Sequence, residues 1–164
     1  MKQTSGLPLG LKVIISFHAL SLVLWFFGQS VAVVAYDMVA EWGLQDPRSL
    51  VDPVIVQVNR AVGLTDTVVM LPLFVVAVIG LLRREFFGAV ASWLVFGMTL
   101  YWPVVFWTSQ GFYAEANVTH QPTSVAEIVV PGALLLVACW GSWYLCRNRG
   151  LFPAAVADSH RSTL

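Results

Sequence analysis

Apolar residues in this chain come in four long runs rather than at alternating or scattered positions, and the interruptions within each run are few and mostly uncharged. The first run covers about 11–36, broken only by Lys12, His18, Gln29 and small hydroxyl residues. The second covers about 61–82 and stops at Arg83-Arg84; the third covers about 86–107; the fourth covers about 125–146 and stops at Arg147-Asn148-Arg149-Gly150. Each is long enough for the roughly 20 apolar residues that a helix needs to cross a bilayer. The pattern therefore predicts an all-α integral membrane bundle of four transmembrane helices in one domain over 1–150. Residues 151–164 are expected to be a cytoplasmic tail without fixed structure. Three residues, Arg83 to Glu85, separate the second and third runs, which makes those helices an antiparallel hairpin.

Element ends can be read from local chemistry. Asp52-Pro53 has the form of an N-cap followed by an N1 proline, so the second helix is a candidate to begin well before residue 61. Ser124-Val125-Ala126-Glu127 fits the capping box, which predicts a structural role for the Glu127 carboxylate. The first outer loop is longer than a simple connection and partly apolar at Val54-Ile55-Val56 and Val58, as a surface-lying segment or a helix extension would be.

Charge adds direction. Lys2, Lys12, Arg83, Arg84, Arg147, Arg149 and Arg161 fall on one side of the four-run reading, and only Arg48 and Arg60 fall on the other. The positive-inside rule then places both termini and the hairpin in the cytoplasm. Seven of the nine acids, Asp37, Glu41, Asp46, Asp52, Asp66, Glu115 and Glu127, lie toward the outer side. The expected location is a bacterial or archaeal plasma membrane rather than a eukaryotic one. Lys2 and Lys12 before an apolar run also resemble a signal peptide, but a run of about 24 residues exceeds the usual 7 to 15 of its apolar region, so the first span is expected to be retained.

Composition supports this class and removes others. With 58% hydrophobic and 11% charged residues, there are too few charges to clothe a soluble domain. Zero formal net charge supplies no basic stripe for nucleic acid. Cys139 and Cys146 lie seven apart on one helix, too far along the axis to bridge, and read as apolar packers. No cofactor is expected, and no metal site, because no second His, Cys or carboxylate stands at ligand spacing beside His18.

Candidate chemistry is confined to polar residues inside the runs, which are costly in hydrocarbon and usually face protein or water. In the first run His18, Ser21, Trp25, Gln29, Ala32 and Tyr36 stand at offsets of 3, 7, 11, 14 and 18 and form one helical stripe, expected to face the bundle interior. His18 reads either as a neutral imidazole bonded across helices or as a proton relay, ligand or base. Asn59, Gly63 and Asp66 share a face of the second run. Asp66 lies about 24 Å from the Arg83 boundary, just under the outer surface. It is either part of an N-cap cluster, Thr65-Asp66-Thr67, or a partner of Arg60, or a functional acid.

Three functions stay open at this point. The leading expectation is a non-catalytic membrane subunit or partner-binding bundle. An alternative is a binding protein for a lipophilic small molecule, or an acid-base enzyme, with an outer-half pocket formed by Gln29, Tyr36, Asn59, Asp66, Trp102 and Gln110; Asp66 would be its catalytic candidate. A further alternative is an oligomeric transporter or proton-coupled carrier. The expected partners are the lipid bilayer and either a lipophilic small molecule or another membrane protein. Asn117-Val118-Thr119 matches the glycosylation sequon in an outer loop, and it carries meaning only where a secretory pathway attaches glycans.

Overall fold

The computed structural model describes residues 6–152, and among them the chain is all-helical with no strand. Four helices, Leu9–Val34, Pro53–Leu82, Phe86–Glu115 and Val125–Arg147, are long and apolar enough to cross a membrane. Their outward-facing side chains fit that assignment: Leu20, Val68, Leu94 and Leu136 are among many apolar residues left exposed, which water would not tolerate over such an area. We read the chain as a multi-pass membrane protein on length and composition.

The second helix begins at Pro53, as the Asp52-Pro53 signal predicts, with the Asp52 carboxylate accepting from the Val54 amide at 2.8 Å. Val54 to Val58 therefore belong to this helix, not to the outer loop. Thr65-Asp66-Thr67 sits mid-helix, which overturns its reading as an N-cap. The third helix likewise runs past the expected end at 107, to Glu115. Both helices are 30 residues long, about 45 Å at 1.5 Å per residue. Their shared end is pinned by the Arg83–Glu85 turn, so together they overshoot a hydrocarbon core of roughly 30 Å at the other end.

That turn is a Schellman motif. The Glu85 amide donates to the Gly80 carbonyl at 2.8 Å and the Arg84 amide to the Leu81 carbonyl at 3.1 Å, with Arg84 held at φ 56°. Gly80 and Gly88 meet backbone to backbone across it, where any Cβ would overlap the opposing chain.

Three apolar clusters hold the bundle. At the hairpin end, Leu11, Ile14, Leu81, Ala89, Phe96, Ala138, Leu145 and Phe152 draw in all four helices. Midway, Met70, Phe74 and Val95 pack with Leu22 and Trp25. At the far end the overshooting helices are wrapped by a folded cap: Tyr36, Val39 and Val51 pack on Ile55 and Val56, with Tyr113 and Val118 against them. The segment between the first two long helices is thus a short helix, Tyr36–Glu41, and a 3-10 turn, Arg48–Leu50. The Asp52 amide donates to the Thr119 carbonyl at 2.8 Å and ties the two connecting segments at this end together.

The fourth helix is fully buried only toward one end. Its buried residues, Ala138, Gly141 and Leu145, all lie toward the hairpin end, while Val125, Val129 and Leu136 are open. Its start is capped as predicted: Ser124 Oγ accepts from the Glu127 amide, and the Glu127 carboxylate accepts from the Ser124 amide at 2.6 Å. The chain does not leave the bundle at residue 151, where the tail was expected to begin. Arg149–Leu151 forms a 3-10 turn and Phe152 is buried in the end cluster; the remainder of the expected tail, with Arg161, and Lys2 at the other terminus lie outside the described residues.

Candidate functional site

The first helix departs from the expected stripe at one place. Phe26–Ser30 is a π-helical turn, and such a turn inserts extra chain into the helix and rotates everything beyond it. His18, Ser21, Ala32 and Tyr36 are buried as the spacing predicts, but Gly28 is buried in place of Gln29, which is half-buried. The helix then breaks at Ala35, with φ −134° and ψ 55°, and re-forms as the cap helix. A uniform 3.6-residue period applied across 18 residues cannot anticipate either event.

The π turn is held in place from two sides. Gln45 of the cap donates Nε2 to the Gly28 carbonyl at 3.1 Å. On the second helix, Gly63 comes so close to the first that a Cβ there would lie 2.6 Å from the Gln29 carbonyl oxygen. Beside this contact Thr67 donates Oγ1 to Ser30 Oγ at 2.7 Å. One turn nearer the middle of the bundle, Trp25 Nε1 donates to Asp66 Oδ2 at 3.0 Å.

Asp66 is 4% exposed. The Trp25 indole is its one hydrogen-bond donor among the described residues, and no cation faces it. Arg60, its proposed partner, instead donates Nε to the Val33 carbonyl at 3.0 Å, just before the break at Ala35, and Nη1 to Gln57 at 3.0 Å. Interhelical bonds of this kind act as glue where water is absent.

A second polar group gathers in the cap. Asn59 Nδ2 donates to Tyr36 Oη at 3.5 Å and to Gln45 Oε1 at 3.3 Å. Arg48 pairs with Asp37 at 2.6 Å and lies 5.0 Å over the Tyr36 ring. Burial pushes the Tyr36 phenol above its ordinary value. Burial, reinforced by the Glu127 carboxylate, also pushes the Asp46 carboxyl up. Trp107 Nε1 donates to the Glu127 carbonyl at 3.2 Å, and a shallow open hollow beside it is lined by Trp107, Thr123 and Ile128.

The six residues expected to line one outer pocket therefore distribute over several places. Tyr36 and Asn59 meet in the cap; Asp66 lies deeper, bound to Trp25; Gln29 contributes its backbone to the seam with Gly63. Trp102 is half-buried on the third helix, and Gln110, near the outer end of that helix, buries Oε1 without a hydrogen-bond partner among the described residues. Gln45 and Trp25 are the participants the sequence reading missed as polar partners. Gln45 has no periodic signal because it lies in a loop, whereas Trp25 stood on the stripe.

His18 is fully buried, and neither ring nitrogen has a partner among the described residues. Its surroundings are aromatic: Phe96 at 5.1 Å, Phe17 at 5.5 Å and Phe74 at 6.1 Å between ring centroids. The expected bond across helices is absent from this environment. Among the described residues, no group of three or more His, Cys, Asp or Glu is placed to hold a metal ion. Compared with protein-family models, curated proteins and solved structures, the chain gives no match to any of them.

Proposed function

We infer that the chain is a non-catalytic membrane-embedded subunit or partner-binding bundle, with both termini and the hairpin in the cytoplasm and the cap outside. One observation carries this reading: the polar side chains between the first helix, its cap and the second helix engage one another or the backbone across that seam. Trp25 with Asp66, Ser30 with Thr67, Asn59 with Tyr36, and Arg60 with the Val33 carbonyl each join the first helix or its cap to the second. Orientation rests on Lys12, Arg83, Arg84, Arg147 and Arg149 at the hairpin end. The outer half of the fourth helix is the face left for a partner, since its inner half alone is buried in the bundle.

A photo-crosslinking residue at Leu136, 74% exposed, tests this in native membranes. A discrete protein adduct is the expected result; adducts to lipid alone overturn it. A second reading, a binding protein for a lipophilic small molecule, is favoured by unfilled hydrogen-bonding capacity at two separate positions, His18 beside Phe96 and Gln110 about 21 Å farther along the third helix, either of which offers a polar contact. It requires a bound compound that survives purification and is lost in His18→Phe or Gln110→Leu, as mass spectrometry of the extracted protein would reveal.

A further inference from the structure

The third helix ends in a turn whose backbone is fully accounted for by packing, and whose side chains are not. Val118 donates its amide to the Tyr113 carbonyl at 2.9 Å and Asn117 to the Ala114 carbonyl at 3.3 Å, with Asn117 at φ 54°. This is a Schellman motif, completed by the apolar contact of Val118 and Tyr113 with the cap cluster. The motif asks for a left-handed residue, which glycine supplies best and asparagine next. It asks nothing of the side chain two positions later. Thr119 contributes only its carbonyl, to the Asp52 amide; its hydroxyl makes no hydrogen bond among the described residues, and both Asn117 and Thr119 are exposed.

The fold thus explains the backbone at Asn117 and leaves the Asn-Val-Thr triplet unexplained. Its placement is in an exposed surface segment, where such acceptors are found. Asn117 lies 31 residues beyond Phe86, about 46 Å along the helix and so roughly 15 Å past the edge of the hydrocarbon core. The chain from Val118 to Ser124 has no regular structure, so presenting the triplet to a transferase means releasing the three backbone bonds at Asn117, Val118 and Thr119 but no turn of the helix itself. Neither Val118 nor His120 is a proline, which would block the triplet.

We propose that Asn117 is an N-glycosylation site on the outer face of this protein. The donor class is a glycan linked through phosphate to a polyprenyl carrier. In the transfer, the Asn117 amide nitrogen bonds to the anomeric carbon and loses one proton. The anomeric carbon–oxygen bond to the carrier phosphate breaks, and the carrier departs with the bonding pair. Thr119 serves as the hydroxyl that the transferase reads. This inference rests on the orientation inferred above and on a host that carries such a donor and its transferase on that side of the membrane.

The test is the intact mass of the full chain purified from its own membranes, with peptide mapping of the triplet. The expected result is a mass above that of the polypeptide, localised to Asn117. The excess disappears in Asn117→Gly, which preserves the turn, and in Thr119→Ala, and it persists in Thr119→Ser. A melting curve for Asn117→Gly matching the parent shows that loss of mass is not loss of fold. In parallel, a membrane-impermeant maleimide is applied to Cys146, a free thiol exposed at the hairpin end. Labelling only after lysis, together with an unmodified Asn117, overturns the glycan site while leaving the orientation standing. Labelling in intact cells overturns the orientation and the site with it.

Discussion

Replacing Gly63 by alanine tests whether the seam between the first two helices is set by backbone contact. The added Cβ would lie 2.6 Å from the Gln29 carbonyl oxygen and 3.3 Å from its carbon. These are backbone atoms fixed by the π turn, so no flexible side chain can yield. Restoring ordinary contact at 3.4 Å means opening the seam by about 0.8 Å. That stretches the Ser30–Thr67 bond from 2.7 Å to about 3.5 Å, beyond useful hydroxyl range, and strains Trp25–Asp66 next to it. Interhelical bonds in membranes average about 0.6 kcal/mol and reach about 1.7. Overpacking adds about 1–3 kcal/mol, and the better helix propensity of alanine returns up to about 1. The expected net loss is about 2 kcal/mol. Gly97 is the matched control, because a Cβ there meets nothing within 4 Å, and Gly97→Ala should be neutral or stabilising by up to about 1 kcal/mol. Reversible unfolding in mixed micelles, followed by tryptophan fluorescence and helical circular dichroism, reads both variants. If Gly63→Ala lies within about 1 kcal/mol of Gly97→Ala, smaller than the overpacking cost alone, the seam is not what holds these helices together.

Asp66→Asn keeps an acceptor for the Trp25 indole and should unfold near the parent, whereas Asp66→Leu orphans that donor and should lose about 1–3 kcal/mol in the same micelle titration. His18→Phe replaces two unpartnered nitrogens by an apolar ring among Phe17, Phe74 and Phe96, and its melting temperature should rise; a fall would mean that the imidazole has a partner the second functional reading requires. Ser124→Ala removes one half of the capping box and should lower stability by about 1 kcal/mol, with fraying at the start of the fourth helix visible in amide exchange. Asp46 binds its proton more tightly folded than unfolded, so its contribution is fully present below the ordinary aspartate value of 3.8 and is lost as pH rises through its raised folded value; Asp46→Asn should flatten that part of the stability–pH profile.

How much of this was legible in the sequence depends on the range over which each signal acts. The four helices, the hairpin and both helix starts were readable because hydropathy runs, the Asp52-Pro53 pair and the Ser124/Glu127 box act within one element. The true lengths of the second and third helices were less so. Their ends beyond the bilayer are stabilised by packing against Tyr36, Val39 and Val51, partners far away in sequence. A hydropathy run marks where lipid is the solvent, not where the helix stops. The candidate pocket failed to gather for a related reason. Gln29 was placed on the inward face by a constant period, and the π turn at Phe26–Ser30 changes that period in the middle of the stripe, whereas Asp66 on its regular helix is buried as its face predicts.

The contrast between Asp66 and His18 sharpens what a buried polar residue says in such a protein. Both were candidates on the same ground, a polar group in an apolar run. Asp66 is joined to Trp25 and stands beside the Ser30–Thr67 bond, at a seam where a glycine already brings two backbones together. One of its carboxylate oxygens accepts from the Trp25 indole, a bond that ties it to the seam. His18 sits one tier inward with aromatic rings around it and both nitrogens unmatched, a position where an apolar ring of similar size would pack without the desolvation cost of about 1–3 kcal/mol. The fold therefore has no use for the imidazole that phenylalanine would not serve better. Any activity of this chain that requires more than its shape is to be sought first at His18, and only then at Asp66, where the sequence had pointed.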